Sequence, residues 1–350
     1  MILNIDRPLV KFIFILISIL IMTKIRESRL TKIRVLIAPE RSKRPREEPK
    51  TNGEKEGKCP FCPGNEKITP PPEILRWPHE GPWDLRCFPN KFGVFKIEAE
   101  TIYEENEDEE QETENVRGAH EIIVETPEHE DNILTISQKR LENMLGAYKD
   151  RILDLSKDHN IKYVQIFVNC GAEAGATLKH SHSQIIATSY IPTLVKTELN
   201  RARGYYETHN KSIFDWIIEK DKKEGRVVKE SDNLIICVPY AARVPFELFL
   251  APKDNVPYFE HSHGRIGELA WLLKDSFLRL EKILCSLPAY NLVLHTAPPK
   301  HVMESYPFFR WHIEIIPRTT KLGGFEFGCF EYINPELPEK VAESLRDIII

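Results

Sequence analysis

The chain has 350 residues, 48 basic and 53 acidic side chains, and a formal net charge of −5. That length buries a large core in one or two domains, and the near-balance of charge gives no electrostatic case for a nucleic-acid or membrane-surface partner. Seven cysteines, an odd number with two of them in a CxxC, argue against a disulfide-framed secreted protein and for a reducing, cytoplasmic setting.

Residues 12–22 are apolar except for Ser18, a stretch too short to cross a bilayer, which takes about 20. With Arg7 and Lys11 before it, the stretch has the form of a signal-peptide core, but no small-residue cleavage site follows. Residues 1–21 therefore read as an over-extended N-terminus ahead of a start at Met22, with a short hydrophobic anchor as the alternative. Residues 41–58 are charged and contain proline, which predicts an extended arm. Cys59-Pro60-Phe61-Cys62 follows; CxxC spacing lets two thiolates reach one tetrahedral ion, and redox activity is the rival, without a thioredoxin-like context. Residues 98–114 carry ten acidic side chains and predict a solvated, mobile loop.

Leu141, Met144, Leu145, Tyr148, Ile152 and Leu155 recur at helical spacing behind Ser137, a candidate N-cap. A β-rich run over residues 163–168 ends at Asn169, and a loop with Gly171, Gly175 and Thr177 leads to His180-Ser181-His182-Ser183-Gln184. In a strand, residues two apart share a face, so His180, His182 and Gln184 are expected to project together. The glycines let backbone approach a ligand, and the combination sets an imidazole beside a phosphate-sized cradle of N–H groups. A polar strand face with two satisfied histidines is the bland alternative.

The second half repeats the order. Residues 234–250 are strand-rich, and Leu269, Leu272, Leu273, Phe277 and Leu280 mark a second amphipathic helix. A strand over residues 290–295 and a Pro-rich loop lead to Trp311-His312-Ile313-Glu314-Ile315, in the place of the histidine strand. Helix, strand, loop and histidine strand thus occur twice, which suggests an internal duplication. Periodicity supports an α+β fold, mainly antiparallel sheet with packed helices. Cys87, Cys170, Cys237, Cys285 and Cys329 read as isolated core residues. His120, His159, His209, His261 and His263 have no motif support and read as solvated or locally satisfied.

The segment from Asn169 to Ala187 resembles the active-site segment of galactose-1-phosphate uridylyltransferases, a branch of the histidine triad superfamily. Further segments carry the same likeness: Glu40 to Pro45, the CxxC, Phe88-Pro89-Asn90-Lys91-Phe92, Thr126-Pro127-Glu128-His129, Pro239 to Glu247, and Trp311 to Arg318. The resemblance implies a two-repeat histidine-triad-like fold with halves at 22–205 and 206–350. It implies exchange of UMP between UDP-glucose and galactose 1-phosphate by a ping-pong route, with His182 as the nucleophile that becomes uridylylated. Gln184 would donate a hydrogen bond to a phosphoryl oxygen without supplying a proton, favouring transfer over hydrolysis. Arg41, Arg44, Phe61, Asn90, Asn169, Gly175, Thr177, Phe330 and Glu331 would bind substrate, with the loop over residues 325–331 reading the hexose. Lys91 stands where typical bacterial members carry an acidic residue near the ribose, and Phe330 departs from the family's hexose loop.

The resemblance also implies a structural zinc on Cys59, Cys62, His129 and His180. Glu198, His295, His312 and Glu314 would form a second site for iron or zinc, with Glu314 where well-known members have a third histidine. The implied partners are a UDP-sugar and a hexose 1-phosphate, with no nucleic acid and no membrane, in a homodimer whose hexose loop completes the partner's site. Two alternatives stand beside this reading: a nucleoside-diphosphate-sugar phosphorylase acting with inorganic phosphate, as for ADP-glucose, and a catalytically dead zinc-stabilised nucleotide-binding protein.

Overall fold

Two short strands, β1 (Lys24–Glu27) and β2 (Arg34–Ile37), open the described chain; the computed structural model describes residues 24–37, 58–95, 97, 103–104, 113–114, 117–262 and 264–350. The first half continues through β3 (Leu75–Trp77), β4 (Leu85–Pro89), β5 (Tyr103–Glu104), β6 (Thr113–Glu114) and β7 (Gly118–Val124). The chain goes on to α1 (Gln138–Leu155), β8 (Tyr163–Cys170), β9 (His182–Thr188), α2 (Thr193–His209) and α3 (Ile213–Lys223). The second half holds β10 (Val227–Glu230), β11 (Leu234–Cys237), β12 (Leu248–Pro252), α4 (Ile266–Leu284), β13 (Tyr290–His295) and β14 (His312–Pro317). The chain closes with α5 (Gly324–Cys329), β15 (Tyr332–Asn334) and α6 (Pro338–Asp347).

Ten strands form one sheet in the order β10-β11-β12-β14-β13-β8-β9-β7-β4-β3. Outward from its centre, β8-β9-β7-β4-β3 on one side matches β13-β14-β12-β11-β10 on the other. Each half inserts its long helix, α1 or α4, before its central strand. The α+β, two-repeat expectation therefore holds. The halves join where β13 runs antiparallel to β8, with Asn291 opposite Asn169. A smaller sheet, β1-β2-β15, ties the N-terminal strands to the end of the chain.

Helix α1 forms where the periodicity predicts it. The Ser137 side chain accepts from the Arg140 N–H at 3.2 Å, a cap contributing about 1 kcal/mol. Its buried face packs with that of α4 into one core over the sheet, each fully buried leucine contributing roughly 1.5–3 kcal/mol. Helices α2 and α3 are absent from the reading of the sequence. In α2 the buried Glu198 interrupts the apolar stripe among Val195, Leu199 and Ala202. Helix α3 carried a legible signal: Ser212 caps it by accepting from the Phe214 N–H at 3.2 Å, and lysines fill its last turn.

Three further expectations are corrected. Cys285 and Cys329 are exposed, because one caps the end of α4 in a left-handed conformation and the other ends the short α5. The acidic run falls mostly outside the described residues, but Tyr103–Glu104 and Thr113–Glu114 pair as a minimal antiparallel ladder rather than lying in a loop. His180 precedes β9 rather than lying within the strand, since pairing with β7 begins at His182 opposite Val124, although the rings of both histidines pack on Phe61.

Candidate active site

His182 opens β9, buried, with its ring against Phe61 at a centroid distance of 5.1 Å. Its Nδ1 lies 2.7 Å from the backbone oxygen of His180. A carbonyl only accepts, so Nδ1 carries the proton and Nε2 presents a lone pair. Two residues on, Gln184 lies on the same face of β9, and its Oε1 stands 2.9 Å from Nε2 of His120. Behind the strand, Ser183 hydrogen-bonds both Tyr148 and Glu125, and Ser181 donates to Glu125 at 2.6 Å. These buried bonds anchor the strand from the side opposite His182.

Cys59, Cys62, His129 and His180 bring their ligand atoms within 4.8 Å of one another. Sγ of Cys62 lies 3.3 Å from Nδ1 of His129 and 3.5 Å from Nδ1 of His180, and Sγ of Cys59 lies 3.7 Å from the latter. A tetrahedral zinc with ordinary bond lengths holds sulfur and nitrogen about 3.6 Å apart, so the donor set fits that ion. Nε2 of His180 lies 2.7 Å from the Thr126 carbonyl oxygen and must donate to it, which turns a bare Nδ1 toward the thiols. Burial is the main reason the His180 imidazole is held below its usual pKa and neutral. Burial, then the neighbouring Cys59, pushes the Cys62 thiol up to about 11, so without a cation Cys62 stays protonated.

Glu198, His295 and His312 form a second buried group. The Glu198 Oε2 lies 3.1 Å from Nδ1 of His295, and the two imidazoles stack at 4.5 Å. Oε1 of Glu198 and Nε2 of His312 are buried without a hydrogen-bond partner, which fits a cation between them. Nδ1 of His312 faces the Arg310 carbonyl oxygen at 3.1 Å, so its Nε2 is the bare nitrogen. Burial alone would lower the His295 pKa, but Glu198 and then Glu314 outweigh it and hold it up at about 10. His312 is pushed down to about 4 by burial and by the charge on His295. Glu314 stands outside the three-residue group, and Arg243 pairs with its carboxylate at 2.8 Å. It keeps an ion-pair distance of 3.5 Å to Nε2 of His295.

The remaining candidates are placed unevenly. Phe61 packs on both histidine rings and on Phe88. Asn90 is locally engaged: its Oδ1 accepts from the Phe92 N–H at 3.0 Å and its Nδ2 lies 3.1 Å from Nε2 of His120. Asn169 accepts from Asn291 at 2.8 Å, and Asn291 in turn accepts from Arg318 at 2.6 Å. Thr177 is exposed. The expected cradle of N–H groups is only partly free, since those of Ala174, Gly175 and Ala176 donate within the loop's own 3-10 turn. Gly171 and Gly175 are required there by φ values of +83° and +86°, and a Cβ on Gly171 would meet that of Ala289 at 2.7 Å. Phe330 is exposed, and Glu331 pairs with Arg34 beside the smaller sheet, not with His182 or Gln184. Arg41 and Arg44 lie outside the described residues.

Reading the sequence missed three contributors. His120, which has no motif support in the sequence, touches both Gln184 and Asn90. Its signal was the His-x-Ile alternation of β7, which puts it on the Gln184 face. Asn291 and Arg318 extend from the second half, and only the β8–β13 pairing brings them to Asn169.

The family model described as galactose-1-phosphate uridyl transferase, N-terminal domain, matches residues 16–192. An ADP-glucose phosphorylase of Arabidopsis thaliana is 34% identical, with 93% of both chains covered. A galactose-1-phosphate uridylyltransferase of Thermotoga maritima is 29% identical, covering 93% of this chain and 98% of its own. The crystal structure of the Arabidopsis ADP-glucose phosphorylase with bound ADP-glucose superposes with a TM-score of 0.81 at 31% identity, over 94% of this chain and 100% of that one.

Proposed function

Because this chain belongs to the galactose-1-phosphate uridylyltransferase family and is a nucleotidyltransferase-type enzyme, we propose that it transfers a nucleotidyl group from a nucleoside diphosphate glucose through a nucleotidyl-His182 intermediate. The observation that carries this is the locked tautomer of His182: with Nδ1–H bound to the His180 carbonyl, Nε2 is the nucleophile. Nε2 forms a bond to the α-phosphorus as the bond to the hexose 1-phosphate oxygen breaks, and hexose 1-phosphate leaves. An acceptor phosphate oxygen then attacks the same phosphorus and frees His182. Gln184 donates from its amide to a non-bridging phosphoryl oxygen and offers water no proton relay. Phe61 confines the imidazole, and Asn169, fixed by Asn291, lines the phosphate side with Gly175 and Thr177. Arg41 and Arg44 would neutralise the diphosphate.

The acceptor we favour is inorganic phosphate, with ADP-glucose as donor. Support comes from the Arabidopsis relative. The second reading is UMP exchange between UDP-glucose and galactose 1-phosphate, favoured by the family model and the Thermotoga relative. The test is to incubate the protein with each nucleotide sugar carrying 32P at the α-position. Acid-labile label on His182 from ADP-glucose, discharged as ADP by phosphate, supports the first reading. Label from UDP-glucose alone, discharged by galactose 1-phosphate, supports the second, and no label from either sinks both.

Cys59, Cys62, His129 and His180 would hold a structural zinc, which supplies a closed tetrahedral anchor ahead of the nucleophile strand. Glu198, His295 and His312 would hold a second ion, iron or zinc, as a further brace. We place the halves at 22–205 and 206–350, a boundary inside α2, and the protein in the cytoplasm as a homodimer. Exposed Phe327 and Phe330 on and beside α5 are surfaces a second copy would cover. No helix among the described residues is long and apolar enough to cross a membrane.

A further inference from the structure

His120 and Gln184 are diagonal neighbours on one face of the β7–β9 pair, since His120 lies opposite Ile186 and Gln184 opposite Ile122. Three nitrogen or oxygen atoms meet the His120 ring. The Val94 N–H points at Nδ1 from 3.3 Å, Gln184 Oε1 stands 2.9 Å from Nε2, and Asn90 Nδ2 stands 3.1 Å from Nε2. An N–H aimed at Nδ1 requires a lone pair there, so the neutral ring carries its proton on Nε2. That proton has one acceptor in reach, the amide oxygen of Gln184. Asn90 then makes a contact without a hydrogen bond, its amide held by the bond from Phe92 to its Oδ1. The opposite tautomer gains a bond from Asn90 but sets Nδ1–H against the Val94 N–H and a lone pair against the Gln184 oxygen.

We propose that His120 is a positioning residue: its Nε2–H holds the oxygen end of the Gln184 amide, so that the NH2 end faces the transferred phosphoryl group. This rests on the reading of Gln184 as phosphoryl donor given above. The two ends of a primary amide have nearly the same shape and opposite hydrogen-bonding sense. Unheld, the group turns over and presents oxygen lone pairs to an anionic phosphoryl group, which repels it. A histidine at this position therefore sets the sense of a residue that has no charge to set it.

The test has one arm that needs no substrate. In the full-length protein with 15N-labelled histidine, His120, assigned by its loss in His120→Gln, should show a protonated Nε2 and a bare Nδ1; a proton on Nδ1 overturns the proposal. The second arm follows single-turnover labelling of His182 from ADP-glucose and UDP-glucose. His120→Leu should lower the labelling rate about tenfold with half-saturation little changed. His120→Gln, which can donate from the same place, should recover most of that loss. In a Gln184→Ala background His120→Leu should cost nothing further. Equal rates in His120→Leu and the parent, or additive losses in the double variant, overturn the proposal. If the parent takes no label from either sugar, the proposed function fails, while the tautomer still decides the role of His120.

Discussion

His182 and His312 repeat one local geometry. Each opens the equivalent strand of its half, β9 or β14, and each turns Nδ1 toward the carbonyl oxygen two residues earlier, at 2.7 Å for His182 and 3.1 Å for His312. Their surroundings separate them. His182 lies against Phe61 with Gln184 two residues on, whereas His312 stacks on His295 beside Glu198 and has Glu314, bound by Arg243, two residues on. One lock thus serves the proposed nucleophile in the first half and the proposed cation-binding group in the second. This divergence is what an internal duplication with one working centre predicts.

Replacing His182 with alanine should abolish formation of the nucleotidyl-enzyme and lower turnover by on the order of 10⁴-fold or more. The thermal unfolding midpoint should hardly change, because the ring ends a strand that Ser183, Tyr148 and Glu125 anchor from behind. Quenched-flow labelling and a melt on the same preparation check both halves of the statement. Retained turnover would exclude the covalent route.

Zinc should be present at one equivalent in the Cys59 cluster and absent from a Cys59→Ser, Cys62→Ser variant, as measured by mass spectrometry of the metal. Since metal binding is coupled to folding, that variant should lose several kcal/mol of stability, on the order expected for a closed structural site. Unchanged metal content would remove the cluster from the account. Glu198→Gln should leave this zinc in place and deplete only a second ion.

With water as the sole acceptor, nucleotide-sugar breakdown should be slow, because Gln184 cannot relay a proton. Inorganic phosphate or a hexose 1-phosphate should raise the rate by orders of magnitude. Following hexose 1-phosphate release with and without each acceptor tests this. A rate independent of acceptor would make the protein a hydrolase.

Glu260 provides a pH test of stability. Burial, slightly offset by hydrogen bonds that include one from Thr296, pushes its carboxyl up from 4.5 to about 7. The folded state then keeps a proton that the unfolded chain releases near 4.5. Stability is therefore highest below that pH and declines as pH rises toward 7, by roughly 2–3 kcal/mol at about 1.4 kcal/mol per unit. Glu260→Gln should remove that decline, so the variant gains on the parent at pH 8 but not at pH 4. Urea titrations of both proteins at the two pH values measure it. Parallel pH dependences would show that Glu260 titrates normally.

Features that depend on near neighbours in the chain are written in its residues. Helices α1 and α4 follow from apolar spacing, the turn at Gly171 and Gly175 from the need for positive φ, and the duplication from an order of elements written twice. The CxxC and the alternating His180, His182 and Gln184 were legible from residue type and short spacing, whereas the zinc set with His129 and His180 and the role of His182 rested on the family resemblance. Which distant groups meet depends on how the strands pair in space. His120 reaches Gln184 through the register of β7 on β9, and Asn291 reaches Asn169 through the pairing of the two halves. These are contacts across strands far apart in sequence, and a shift of one residue in register would turn each side chain to the opposite face. Local pattern carries no record of that register, and packing the two halves into one sheet supplies it.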